Sequence, residues 1–201
     1  MQKSHFFAYI SKIRWLQRWG LKRNTISENV MEHSFEVATI AHALALIKNR
    51  LFGGNIDANQ VAVTALYHDV SEVITGDMPS PIKYHSSDIT KAYKSLERKA
   101  EQELFGLLPA ELQADFQPLL LESYVDDSIH ELVKAADTLA AFVKCQLELN
   151  AGNQEFKKAA EQIEQRLIGL KLPEVDYFMK TFFASYSLTL DELMHSDSTE
   201  S

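Results

Sequence analysis

A chain of 201 residues, 46% of them hydrophobic, fits one domain with a substantial core. Its formal charge of −8 argues against a general binder of long nucleic acids, which needs a basic surface. The single cysteine, Cys145, excludes an internal disulfide and points to a reducing, cytoplasmic setting. The opening MQKSHFFAYISKIR lacks the unbroken apolar centre of a signal peptide, and the longest apolar run, AHALALI, is too short to cross a bilayer. Charge is unevenly spread. Residues 1–27 carry Lys3, Lys12, Arg14, Arg18, Lys22 and Arg23 with no acidic residue, which reads either as a solvated helix face or as a basic lip against an anionic small molecule.

Taken in order, Ser4 to about Arg18 places Phe6, Ile10, Ile13 and Trp15/Leu16 at helical spacing, and Gly20 ends it. Asn29-Val-Met-Glu32 has the form of a capping box and opens a second helix whose apolar stripe reads Val37, Ile40, Leu44, Ile47, Leu51. Carried backwards, that stripe lands on His33 and turns it inward. Asp57-Ala-Asn-Gln60 caps a third helix, expected to run unbroken to Gly76. On one continuous helix His68, Asp69 and Glu72 share an arc, an arrangement suited to a metal with an acid or base beside it. The stiff loop Asp77-Met78-Pro79-Ser80-Pro81 leaves that end.

A fourth helix is expected over Ser87 to Leu108, with Ile89, Ala92, Tyr93, Leu96, Ala100 and Leu104 inward. Short helical turns, separated by prolines, cover Pro109 to Phe116 and Pro118 to Tyr124. Ser128-Ile-His-Glu131 forms another box for a helix to about Glu148, and its Asp137 lies in apolar company. An uncompensated buried carboxylate is expensive, so Asp69 and Asp137 each need a cation. A polar helix over Gln154 to Leu170 and an aromatic segment from Pro173 follow. The last residues, 195–201, are expected to be disordered. With no strand-rich region, the fold class is all-α.

A His-Asp pair alone is a weak signal. The order His33, His68-Asp69, Asp137 in an all-helical chain is the pattern of HD-domain phosphohydrolases. The stretches FFAYISKIRWLQRW, RNTISENVMEHS, ALYHDVSEVITGDMPSPIKY, VKAADTLAAFVKC and VDYFMKTFFASYSLTLDEL resemble the bacterial 5′-deoxynucleotidases of the YfbR type over nearly the whole chain.

That resemblance implies a single-domain HD helical bundle over residues 1–194. It also implies a homodimeric, metal-dependent phosphatase that acts on deoxyribonucleoside 5′-monophosphates and discriminates against ribonucleotides. By position, His33, His68, Asp69 and Asp137 would hold the metal, with Asp69 and Asp137 also bordering the substrate. Glu72 would be the catalytic carboxylate and Arg18 the cation that orients the phosphate, while Trp19 with Asp77, Met78, Pro79 and Ser80 would contact the nucleotide. Ser80 stands where threonine is expected in relatives, and the hydroxyl survives.

Nitrogen ligands favour Co²⁺, Mn²⁺, Fe²⁺ or Zn²⁺ over Mg²⁺; among these Co²⁺ and Mn²⁺ are the expected ions, with Zn²⁺ and Fe²⁺ as alternatives. Binuclear HD enzymes need further histidines between the doublet and the last aspartate; only His85 and His130 lie there, which favours one ion. Two other readings stand beside this one. One keeps the site but takes nucleoside triphosphates or cyclic nucleotides; the other is a helical binding module with a structural metal, in which Glu72 has no task.

Overall fold

The computed structural model describes residues 3–195, and all of its regular elements there are helical. In order they are α1 (Phe6–Ile10), α2 (Val30–Leu51), α3 (Ala58–Tyr67), α4 (Glu72–Thr75), α5 (Ser80–Lys83) and α6 (Ser87–Gly106). Then come α7 (Ala110–Leu120), α8 (Asp127–Asn150), α9 (Lys157–Leu170), α10 (Pro173–Thr181) and α11 (Leu190–His195). The chain is thus an all-α bundle of one domain. Of the tail expected to be disordered, only His195 lies within the described residues, as the end of α11.

The central element is α2. Its capping box forms in full: Asn29 Oδ1 accepts from Glu32 N–H, and Glu32 Oε2 accepts from Asn29 N–H, each at 3.0 Å. Val37, Ile40, Leu44 and Ile47 are buried, against α3, α8 and α10. By length and composition α2 would also suit a membrane span, but most of it is buried in the core, as expected of the central helix of a bundle.

A smaller apolar cluster lies apart from this core. Phe6, Val70, Leu104, Leu108 and Leu120 form it, drawing on α1, α6, α7 and the chain after α3. The segment between Ala65 and Val70 therefore bridges two apolar centres, and the His68-Asp69 pair sits on that bridge.

Several expectations are corrected. The first segment is not one helix to Arg18: α1 stops at Ile10 and a 3₁₀ stretch, Ser11–Trp15, follows. The third helix is not continuous to Gly76. It ends at Tyr67, and turns of the i→i−3 kind carry His68 to Ser71 before α4 begins. The local cause is visible at His68, whose Nδ1 bonds the Ala65 carbonyl at 2.7 Å and competes with the helical ladder. The pull of Val70 into the second cluster favours the same break.

In α6, Tyr93, Ala100 and Leu104 are buried as expected, but Ile89, Ala92 and Leu96 are exposed. The helix is turned so that Glu97 can meet Lys83 at 2.7 Å. Pro118 does not separate two turns; it lies inside α7 near its end, where one missing N–H is tolerable. The cap of α8 is Asp126, whose Oδ1 accepts from Ser128 N–H at 2.8 Å, and not Ser128.

Candidate active site

His33 occupies the first turn of α2 and is 1% exposed, as its place on the apolar stripe required. Its Nε2 lies 3.1 Å from Asp137 Oδ1 on α8 and 3.7 Å from Asp69 Oδ2. Facing it, His68 Nε2 is 3.1 Å from the same Asp69 oxygen, and the two imidazole centroids are 5.4 Å apart. A carbonyl can only accept, so His68 Nδ1 carries a proton and Nε2 is the nitrogen turned to the cluster. That Nε2 is buried, and its 3.1 Å contact with Asp69 lies outside hydrogen-bond alignment. One ligand atom from each of His33, His68 and Asp69 falls within a 4.8 Å group, and Asp137 adds a second carboxylate beside His33. Two imidazoles with carboxylate oxygens suit a first-row transition ion, so the donors present fit the expected metal.

Arg18 closes one side. Its Nη1 donates to Asp69 Oδ2 at 3.3 Å and its Nε to Glu28 Oε2 at 3.1 Å. Burial works against the guanidinium charge, but Asp69, Asp137, Glu28 and Asp77 hold its pKa above the ordinary value. Arg18 reaches the site because an isolated antiparallel bridge pairs Gln17 with Asn29 beside the start of α2. The next residue, Trp19, packs on Phe156 with centroids 5.3 Å apart and donates Nε1–H to Glu28 Oε2 at 2.9 Å.

The expected basic lip reduces to Arg18. Lys22 donates to the Glu155 carbonyl and Arg23 pairs with the Glu155 carboxylate, both away from the cluster. The cations missing from that expectation are Lys83, Lys94 and Lys134. They line a cleft of about 310 Å³ that opens on His68, Asp69 and Glu72. Lys134 was legible as the residue one turn before Asp137 on α8; Lys83 and Lys94 belong to other elements and gave no signal.

The carboxylates divide by environment. Burial alone would raise Asp69, but the charges of His68, His33 and Arg18 hold it well below the usual range. Asp137 is likewise held low, burial being outweighed chiefly by the hydrogen bond and charge of His33. Glu72 goes the other way. Burial, then Asp69 and Asp77, push it up to about 10, and its Oε2 is buried without a partner. Burial thus favours the neutral form of Glu72, while Asp69 and Asp137 are held as carboxylates.

Gly76 ends α4 at φ +76°, ψ 157°, a conformation essentially reserved for glycine, and Tyr93 Oη donates to its carbonyl at 2.7 Å. That turn sends Asp77 back toward the cluster, where burial raises its pKa and Arg18 opposes the rise. Met78 and Pro79 are half-buried, and Ser80 is exposed at the start of α5.

Residues 5–186 match the family model described as 5′-deoxynucleotidase YfbR-like. The chain belongs to that family. A 5′-deoxynucleotidase of Vibrio vulnificus (strain YJ016) is 50% identical over 96% of this chain and 100% of its own length. One from Yersinia pestis (strain Pestoides F) is 53% identical over 94% of this chain and 96% of its own. Membership makes the chain an enzyme, a hydrolase of phosphoric monoesters. Among solved structures, an HD-domain phosphohydrolase from Listeria innocua superposes with a TM-score of 0.79 at 21% identity, covering 90% of this chain and 88% of that one. A cyanophage S-2L HD phosphohydrolase, solved with dA and one catalytic Zn²⁺ ion, gives a TM-score of 0.61 at 18% identity over 92% and 98% of the chains.

Proposed function

We propose that this chain hydrolyses deoxyribonucleoside 5′-monophosphates in preference to ribonucleotides, with one divalent transition metal ion held by His33, His68, Asp69 and Asp137. The observation that carries the reading is the approach of these four side chains to one another, with Arg18 bonded to Asp69 and the buried Glu72 carboxyl lining the cleft beside them. Co²⁺ or Mn²⁺ is the expected activator, with Zn²⁺ or Fe²⁺ as alternatives. When bound, such an ion polarises a phosphoryl oxygen and makes a nearby water more acidic.

The remaining work falls to the chain's own groups. Arg18 has two of its N–H groups engaged, by Glu28 and Asp69, and offers the rest of its planar fork to a phosphate. Glu72, kept neutral by burial, hands its proton to the departing O5′ as a water oxygen bonds to phosphorus and the P–O5′ bond breaks, and the proton shed by that water restores it. Trp19 walls the sugar, and a wall that cannot solvate a 2′-hydroxyl rejects it. Asp77, Met78, Pro79 and Ser80 supply nucleotide contacts from the loop that Gly76 directs. The cleft lysines face Glu97, Glu101 and Glu122 across the same space, a balance that favours a monophosphate over a triphosphate.

The enzyme is proposed to work in the cytoplasm as a homodimer. Exposed apolar side chains toward the C-terminus, among them Phe182, Leu190 and Met194, support the second part; sedimentation tests it. Phosphate release from dAMP and AMP, with Co²⁺ or Mn²⁺ and with a chelator, tests the activity. Metal-dependent release from dAMP and little from AMP is expected. Equal rates overturn the sugar selection, and no release from either overturns the substrate.

A further inference from the structure

No carboxylate occurs in the first 27 residues, and the first one after them, Glu28, bonds two consecutive residues of the site. Its carbonyl accepts from Arg18 N–H at 2.9 Å. Its Oε2 accepts from Arg18 Nε at 3.1 Å and from Trp19 Nε1 at 2.9 Å. The side chains of Arg18 and Glu28 are each only 12% exposed. One oxygen that accepts from both a guanidinium and an indole ties the two side chains to each other.

Side chains of adjacent residues normally diverge. They converge here because Trp19 sits at φ +59°, in the left-handed region that a bulky side chain rarely adopts. Such a conformation persists only where the surroundings over-determine it. Phe156 supplies packing against the ring, and packing alone is not directional. The bond to Glu28 supplies the direction. It also engages the Nε edge of Arg18, leaving the Nη groups for Asp69 and an incoming phosphate.

We propose that Glu28 is a positioning and specificity-determining residue: it sets Arg18 and Trp19 as one unit, so that phosphate and sugar are read together. This rests on the roles given to Arg18 and Trp19 above. Glu28 itself touches neither substrate nor metal in this scheme.

The test pairs a spectroscopic readout with kinetics in Glu28→Ala and Glu28→Gln. The chain has two tryptophans, so the indole N–H resonance of Trp19 is assigned with a Trp19→Phe variant. In Glu28→Ala that resonance is expected to move to the position of a solvent-exposed indole. The KM for dAMP should rise about tenfold with a smaller change in kcat, and the dAMP/AMP ratio of kcat/KM should fall about tenfold. Glu28→Gln keeps an acceptor oxygen and should recover most of the ratio. An unmoved indole resonance, or a wild-type KM and ratio in Glu28→Ala, would overturn the proposal.

If Glu28→Ala does not fold, Glu28→Asp replaces it. The carboxylate is then withdrawn by one methylene, and the same losses are expected in smaller measure; wild-type behaviour overturns the proposal. A wild-type enzyme indifferent to dAMP and AMP would remove the sugar reading of Trp19. Glu28 would then be judged on the indole resonance and the dAMP KM alone.

Discussion

At Glu72, burial and two neighbouring carboxylates keep a proton on a group that water would strip of it at neutral pH. Replacing Glu72 by Gln preserves size and removes the transferable proton. The expected result is a fall in kcat of about 10²- to 10⁴-fold, with the bound metal content unchanged by elemental analysis. The same shift has a thermodynamic consequence for the metal-free protein. The folded pKa lies above the unfolded one, so the folded state holds one more proton between about pH 4.5 and 10. Its stability is therefore present below that window and lost as pH rises through it. Calorimetry in chelator should show this slope, and Glu72→Gln should flatten it. Cys145 offers a simpler case: burial pushes its thiol up to about 12, so a thiol reagent should label it only after unfolding.

Among elements, the loop from Trp19 to Ser27 owes its place to α8. Glu148 is fully buried and accepts from Thr25 N–H at 2.9 Å, Ile26 N–H at 3.2 Å, Asn153 Nδ2 at 2.8 Å and Lys144 Nζ. Burial opposes its charge, and these bonds hold its pKa below the usual range, so its contribution is present above about pH 4.5 and lost in acid. Glu148→Ala strands Lys144 without its anion and should cost about 3–5 kcal/mol in urea unfolding. Replacing both residues by apolar ones should recover much of that. The turn after α4 gives a second expectation. No atom lies within 4 Å of a Cβ built on Gly76, so Gly76→Ala is opposed by backbone strain alone. It should cost about 1–3 kcal/mol and raise the KM for dAMP by redirecting Asp77.

Across the whole molecule, the cluster joins α2, the turn after α3 and α8, which pack on one another through the main core. An ion held by all three stabilises the assembled fold by mass action, by about 2.7 kcal/mol at a hundred times its dissociation constant. Thermal unfolding with and without Co²⁺ or Mn²⁺ should show an upward shift that chelator reverses and His33→Ala abolishes. Much of this architecture was legible beforehand. The α2 stripe placed His33 inward because burial in one helix follows a fixed period, and the caps at Asn29 and Asp57 formed because their bonds are local. The break after Tyr67 was not legible, because Val70 is drawn to Phe6, 64 positions before it, and to Leu104 and Leu120, 34 and 50 positions after it, separations that no local pattern encodes.

What the sequence determined by itself was whatever depends on near neighbours and residue type: the all-helical class, the inward His33, the absence of a disulfide, and the residues able to ligate a metal. The tertiary structure alone decided which groups share charge. It turned Asp69 and Asp137 toward imidazoles and left Glu72 among carboxylates, so that the pKa of the first two is pushed down and that of the third up. It also brought Glu28 under both Arg18 and Trp19. The physical reason is range. Helical period and capping act over a few residues, whereas a buried charge responds to every group within several ångströms, whatever its place in the chain.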